Sequence, residues 1–357
     1  MKNAVIFTIL LLVNGIILGQ KNLKDYDEIC YCSGNTPHSI LNYDNNWPLL
    51  WAFKNGLSKQ GLDSMQIPYT RSQLKLLTIY KLIRFDNGKY FTTFPILDIN
   101  QTNYLRKKTS EIASIIFPFI ESEIKSLVTE LKNVNHSENQ FSILFSYVLD
   151  GLTWQKFEER GMINQLNLTT ENYPWVGEFW LLTPRRETIF GTNSVSDSLF
   201  TLAITSSNNV LVSKVYNEED ELLRILLKNY INSGKVTDEK VLATFGKYNV
   251  CDKDGNLAIP VIIEDKNNKI YYYSSQIADE ICTKLISNSI FNEVIRDLKL
   301  KDQKQAVVIL YHEVMWDLLS VIEKQKVIEI PNIIINPNHS ELTDIAKLLY
   351  ITRKNKR

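Results

Sequence analysis

The sequence predicts an α+β protein, mostly helical, with a small antiparallel sheet around residues 176–216. Three observations carry that reading. Apolar residues recur at helical spacing over long segments, as in Phe141, Leu144, Phe145, Val148, Leu149 and Leu152. The period then changes: Phe179-Trp180-Leu181-Leu182 is a short continuous apolar run stopped by Pro184, the pattern of a buried strand. Elsewhere short helices lead into β-prone runs joined by turn residues, so helix–hairpin modules are expected beside the sheet.

The chain starts with Met1-Lys2-Asn3, an apolar run from Ala4 to Leu18, and Gly19-Gln20, which matches a signal peptide cut after Gly19. The expected location is secreted or periplasmic. Ile17, three positions before the cut, is larger than usual there, and an uncleaved anchor is the competing reading. The run is shorter than the ~20 residues of a spanning helix, and Asn14 interrupts it. No cysteine stands near the cut, and no later segment reads as transmembrane. The remaining chain of roughly 340 residues exceeds one ordinary domain. Its expected division is an extended lead-in over 20–48, a helix–hairpin module with a long helix over 49–135, a central helix and sheet over 136–235, and a helical region with further modules over 236–357.

Taken in order, Gln20 to Asn46 is polar and turn-rich. Trp47 to Leu57 reads as a short helix and Ser72 to Ile83 as another, with Leu74, Leu77 and Leu82 turned inward. Asp86-Asn87-Gly88 then joins β-prone runs ending in Phe94-Pro95-Ile96-Leu97. Asp98 to Val134 is a long amphipathic helix with the stripe Leu105, Ile112, Ile116, Phe119, Ile124, Leu127 and Leu131, kinked at Pro118. Ser137-Glu138-Asn139-Gln140 fits a capping box for the helix that follows. Gly151 within that helix costs about 1 kcal/mol against alanine, which signals close packing or a break. Leu199 to Thr205, a turn at 206–209, and Val210 to Tyr216 form an expected hairpin. Asn217 is the expected cap of a helix reaching Ile231, with Glu218, Glu219 and Asp220 at its positive end.

The helix–hairpin order recurs. Thr237 caps a helix through Val241, Leu242 and Phe245, followed by Asp254-Gly255-Asn256 and the strand Leu257 to Ile262. The long helix Gln305 to Lys324 is followed by Val327 to Ile333. Each version carries an apolar residue, proline, one further residue, then Ile or Leu, a degree of self-similarity that points to repeated units. This order of elements resembles winged-helix modules. The resemblance covers about a quarter of the chain and assigns no functional residue. It implies contacts with DNA or with protein, the two uses such modules serve.

Charge and motifs narrow the chemistry. Lysine plus arginine equals aspartate plus glutamate at 40 each, which removes the broad basic field that nucleic acid favours. The four cysteines, Cys30, Cys32, Cys251 and Cys282, allow three pairings in an exported chain. Cys30 and Cys32 are too close for an easy mutual bond. Cys251 with Cys282 is one option, and a buried free thiol at Cys282, on the pattern Ile277, Ile281, Leu285, is the other. The cysteines do not cluster with histidines, so no metal is expected. His312-Glu313 lies on an apolar helix as in H-E-x-x-H, but Trp316 fills the second histidine position, which breaks the zinc-protease motif. Structural hydrogen bonds and helix pairing are the expected role of these two residues, with catalysis the alternative.

Arg185-Arg186 with Glu187 can clamp a carboxylate or phosphate, or form a surface ion pair. Gly191 to Asp197 offers the hydroxyls of Thr192, Ser194 and Ser196, the amide of Asn193 and the carboxylate of Asp197, without a nucleophile elbow. Phosphate-loop and dinucleotide patterns are also missing, so no cofactor is expected. Asp150, Glu158, Glu178 and Asp197 are carboxylates from which a glycosidase pair can be drawn, and Trp154, Trp175 and Trp180 can stack on a sugar or fill a core. The candidate ligand-binding residues are therefore Asp150, Arg185, Arg186, Asn193, Asp197, His312 and Glu313. The leading expectation is a non-enzymatic exported protein that binds another protein or an envelope component. The alternatives are a hydrolase with a polar site between 141–197 and the His312 helix, and a winged-helix nucleic-acid binder whose N-terminus is misread.

Overall fold

A computed structural model describes residues 22–34, 37–164, 175–186, 190–207, 212, 214–215, 217, 219–336 and 340–354. The leader expectation rests on residues outside these. The fold is α+β and mostly helical, with small sheets. Two compact units share the chain: Met1–Arg106 with Asn164–Arg186 and Leu298–Ile309, and Lys107–Ile163 with Glu187–Asp297 and Leu310–Arg357.

A 3-10 turn at Leu23–Asp25 leads into β1 (Tyr26–Gly34), where an extended polar lead-in is expected. Tyr26 and Ile29 are buried, and that burial fixes the strand although Asp27 and Glu28 interrupt its apolar pattern. Short helices follow at Pro37–Leu41, Asn46–Phe53, Lys59–Ser64 and Arg71–Ile79. Thr70 and Gln73 form a reciprocal capping box at 3.0 and 2.8 Å that starts the last of these. The hairpin β2 (Ile83–Asp86) and β3 (Lys89–Thr92) turns at Asn87 and Gly88, both with positive φ, as a tight two-residue turn requires. Leu57 exchanges two backbone hydrogen bonds with Tyr90, at 3.0 and 2.8 Å, tying the link between the second and third helices to the hairpin. Finally β4 (Trp175–Pro184) returns to pair antiparallel with β1, Tyr26 opposite Pro184. Trp47, Leu50, Phe53, Leu77, Ile83 and Leu182 belong to one apolar core that joins helices, hairpin and ladder.

The second unit holds a four-stranded sheet of β5 (Phe190–Ser196), β6 (Phe200–Ser207), β7 (Val261–Ile263) and β8 (Leu349–Arg353), in the order β5-β6-β8-β7. β7 runs parallel to β8, and the other pairs are antiparallel. The strands of 176–216 thus divide between two sheets. The hairpin expected across 206–209 is not made, because Val212, Lys214 and Val215 are helical. Instead β6 pairs with β5 through the turn at Asp197 and with β8, whose Leu349 and Ile351 are fully buried.

The helical pattern after Phe141 is real but its winding differs. A 3-10 turn at Ser137–Asn139 and one turn at Gln140–Ser142 lead into a π-helix, Ile143–Leu152, continued by Thr153–Glu159. No capping box forms: the Asn139 amide donates to Ala346 O and Leu349 O at 2.9 and 3.2 Å. Such π winding is rare and usually confined to a single turn. Side chains add bonds to its carbonyls, Tyr311 Oη to Leu149 O at 2.6 Å and Thr153 Oγ1 to Val148 O at 2.9 Å. Gly151 neither breaks the helix nor meets a neighbouring element. A Cβ there would lie 3.0 Å from Ser146 O, five residues back on the same helix.

Several local expectations change. Phe119 is 50% exposed under the Lys284 ammonium, while Phe117 and Ile120 turn inward in helix Ile99–Asn133. Asn217 is itself helical, and helix Asp220–Ser233 starts after Glu219 without a side-chain cap. Asp238 replaces Thr237 as a cap, accepting from Val241 N at 2.9 Å, since Thr237 donates to Asn229. Of the strand Leu257 to Ile262, Leu257 bridges Cys251 and only Val261–Ile263 joins the sheet. Val327–Ile330 forms no strand, and Pro331, which has no N–H for a ladder, precedes a helical turn at Asn332–Ile335. Cys251 and Cys282 are separate buried thiols; Cys282 Sγ faces Thr153 O at 3.6 Å, and burial pushes its thiol up to about 12. By length and composition alone, helix Gln303–Lys324 is long and apolar enough to cross a membrane. Two-thirds of its most apolar window is buried inside the protein, at 67%.

Candidate functional site

In the first unit, β1, the end of β4 and helix Pro37–Leu41 frame an open cleft of about 470 Å³ lined by Lys24, Asp27, Glu28, His38, Asn42 and Arg185. Leu23 and Tyr26 form its apolar part. The strand register builds the polar part, because the β4 end places Arg185 beside the start of β1. Arg185 N donates to Asp25 O at 2.9 Å, its Nε to Asp27 Oδ1 at 2.9 Å and its Nη2 to Tyr26 O at 3.2 Å. Arg186 contributes its backbone N–H to Asp27 Oδ2 at 2.9 Å. Across the cleft His38 Nδ1 pairs with Glu28 Oε1, and Asn42 Nδ2 lies 3.5 Å from His38 Nε2. The Arg185 side chain remains 52% exposed and that of His38 67%, so both side chains face solvent from a fixed base.

In the second unit, the π-helix carries Asp150. Thr192 Oγ1, on β5, donates to Asp150 Oδ2 at 2.6 Å. Burial pushes the carboxyl up from 3.8 to about 6, while hydrogen bonds from Thr192 and Trp154 pull it down by less. Among the described residues no cation is paired with it. A π-helical turn bearing a desolvated carboxylic acid is the kind of place where functional groups are found. Such a group can hold or release a proton near neutrality, and its residue is only partly accessible.

The other expected residues have local explanations. Asn193 sits on β5 opposite Ile204. Asp197 closes the β5–β6 turn, accepting from Ser198 N and from Ser198 Oγ at 2.8 Å, and these bonds hold its carboxyl below the usual range. His312 is half-buried and Glu313 is buried on helix Gln303–Lys324, and neither stands free. Trp316 packs on Phe145 and Phe190 with ring centroids 5.5 and 5.3 Å away, a core role. Trp154 leans on Tyr311 at 4.7 Å. The indole N–H of Trp175 donates to Tyr80 O, and that of Trp180 to Glu178. Arg185 and Arg186 belong to the first unit, whereas Asp150, Asn193, Asp197, His312 and Glu313 belong to the second.

The sequence singled out Arg185 and Asp150 as candidates but did not reveal their surroundings. Glu28 and His38 meet because a strand and a short helix fold together, and no motif spacing marks them. Among the described residues no group of three or more His, Cys, Asp or Glu side chains could hold a metal ion. Comparison with known families, characterised proteins and solved structures finds no match to this chain.

Proposed function

We propose that this chain is an exported, non-enzymatic binding protein of the cell envelope and that the Arg185 cleft is its contact site. The cleft carries the reading: its Arg185 guanidinium is held by an ion pair to Asp27 and a bond to Tyr26 O, yet remains open to solvent. Such preorganisation favours recognition, because little side-chain freedom is lost on binding. The order helix, bridge at Leu57, helix, helix, hairpin over 46–92 supports a winged-helix-like module. The balanced charge favours a protein or envelope partner over nucleic acid. The test is retention of the purified protein on envelope material from its own host. Wild type should be retained, and Asn42→Trp, which fills the cleft from an exposed position, should not. Equal retention of both would remove the cleft from the account.

One observation favours a hydrolase as the second reading, namely the enclosed carboxyl of Asp150 beside Trp154. Under that reading wild type hydrolyses a glycoside or ester substrate and Asp150→Asn does not. A panel of such substrates left untouched by wild type would dispose of it.

A further inference from the structure

We propose that the cleft recognises an oxyanion, a carboxylate or phosphate group carried by its ligand, through Arg185 and Lys24. This rests on the binding reading above and adds the chemistry of what is bound. A guanidinium has five N–H donors. Arg185 uses Nε and Nη2 on Asp27 Oδ1 and Tyr26 O, which fixes the plane of the group and leaves the Nη1 hydrogens and one Nη2 hydrogen without a partner among the described residues. The two terminal nitrogens of a fixed guanidinium match the paired oxygens of a carboxylate or phosphate. The competing acceptor is already occupied: Asp27 receives Arg185 Nε on one oxygen and Arg186 N–H on the other.

Lys24 lines the same cleft with its ammonium unpaired among the described residues, and adds a second cation. The Glu28 carboxylate, which lines the same cleft, is paired with His38 and only 15% exposed, so it opposes an incoming anion less than a free carboxylate would. Leu23 and Tyr26 give an apolar surface for the rest of a ligand, and about 470 Å³ suits a small molecule or the end of a larger one.

The experiment titrates the full chain with inorganic phosphate and, separately, with succinate, at constant ionic strength set by chloride, and follows heat of binding. Saturable binding of one anion to one site per chain is expected, and whichever binds more tightly identifies the phosphate or carboxylate source. Arg185→Gln should weaken it about tenfold or more, and Lys24→Ala about threefold or more, as loss of a bidentate and a point-charge contact respectively. Lys24→Ala changes an exposed side chain, so it reports even if Arg185→Gln loosens the strand end. Lys247→Ala, an exposed change in the second unit, should leave the affinity unaltered. No saturable binding of either anion, or affinities unchanged in both cleft variants, would overturn the proposal. If neither anion binds while Asn42→Trp still abolishes envelope retention, the oxyanion inference fails and the binding reading stands. If an anion binds and Asn42→Trp is still retained, the reverse holds.

Discussion

Asp150 gives the sharpest quantitative expectation. Its carboxyl lies between the π-helix and β5 with no cation beside it among the described residues, and burial pushes it up from 3.8 to about 6. At about 1.4 kcal/mol per pH unit, that rise means ionised Asp150 costs the folded state up to roughly 3 kcal/mol. Residual solvent contact makes the figure an upper bound. The sign follows from linkage: the folded protein holds this proton more tightly than the unfolded chain. The favourable contribution is therefore complete below about pH 4 and is lost as pH rises through about 6. Asp150→Asn removes the titration while keeping an oxygen that accepts from Thr192. Relative to wild type, the variant should be about equal in stability near pH 4 and more stable by up to about 3 kcal/mol near pH 8. Urea denaturation across that range measures the difference. Hydrogen exchange of the amides of 143–152 isolates the unfolding of the second unit. Thr192→Val should steepen the pH dependence, since it removes a bond that favours the charged form. A stability difference between wild type and Asp150→Asn that is independent of pH, or that has the opposite slope, would refute the reasoning.

Three other outcomes are expected. Phe145→Ala should destabilise the second unit by about 3–5 kcal/mol, because the ring is fully buried among Phe141, Phe190 and Trp316; a loss below about 1 kcal/mol by denaturant titration would contradict that packing. Gly255→Ala should cost more than about 1 kcal/mol, since φ is +79° and a Cβ would lie 2.0 Å from Val236 O. An unchanged melting temperature would show that the turn at Asp252–Asn256 is misplaced. N-terminal sequencing of protein made in its own host should begin near Gln20, and an intact Met1 in a cytosolic fraction would defeat the export proposal.

What was legible in the sequence follows from range and local chemistry. The stripe Phe141 to Leu152 identified a buried helical face because side-chain periodicity reports burial. It did not reveal the π winding, which is accompanied by bonds from Tyr311 and from Thr153 to the helix carbonyls. The Asn87-Gly88 turn was readable from residue types alone. β1 was not, because Asp27 and Glu28 dilute its pattern and its partner β4 lies far along the chain. The hairpin arm at 210–216 failed for a related reason: β-prone residues there compete with Leu349-Tyr350-Ile351, a more apolar strand from the C-terminus. Arg185 and Asp150 stood out as charges beside apolar runs. Their meaning depends on Asp27, Tyr26, Thr192 and Trp154, which only folding brings to them.

The most direct test of the central claim is photocrosslinking in intact cells of the host. Tyr43 is 66% exposed and adjacent in sequence to Asn42 of the cleft, so Tyr43→p-benzoylphenylalanine places a reactive group at the rim with little change of shape. The same probe at exposed Lys247 in the second unit is the control. The account predicts a light-dependent adduct with envelope material from position 43 that is lost with Asn42→Trp and absent from position 247. Adducts of equal yield from both positions, or none from position 43, would contradict it.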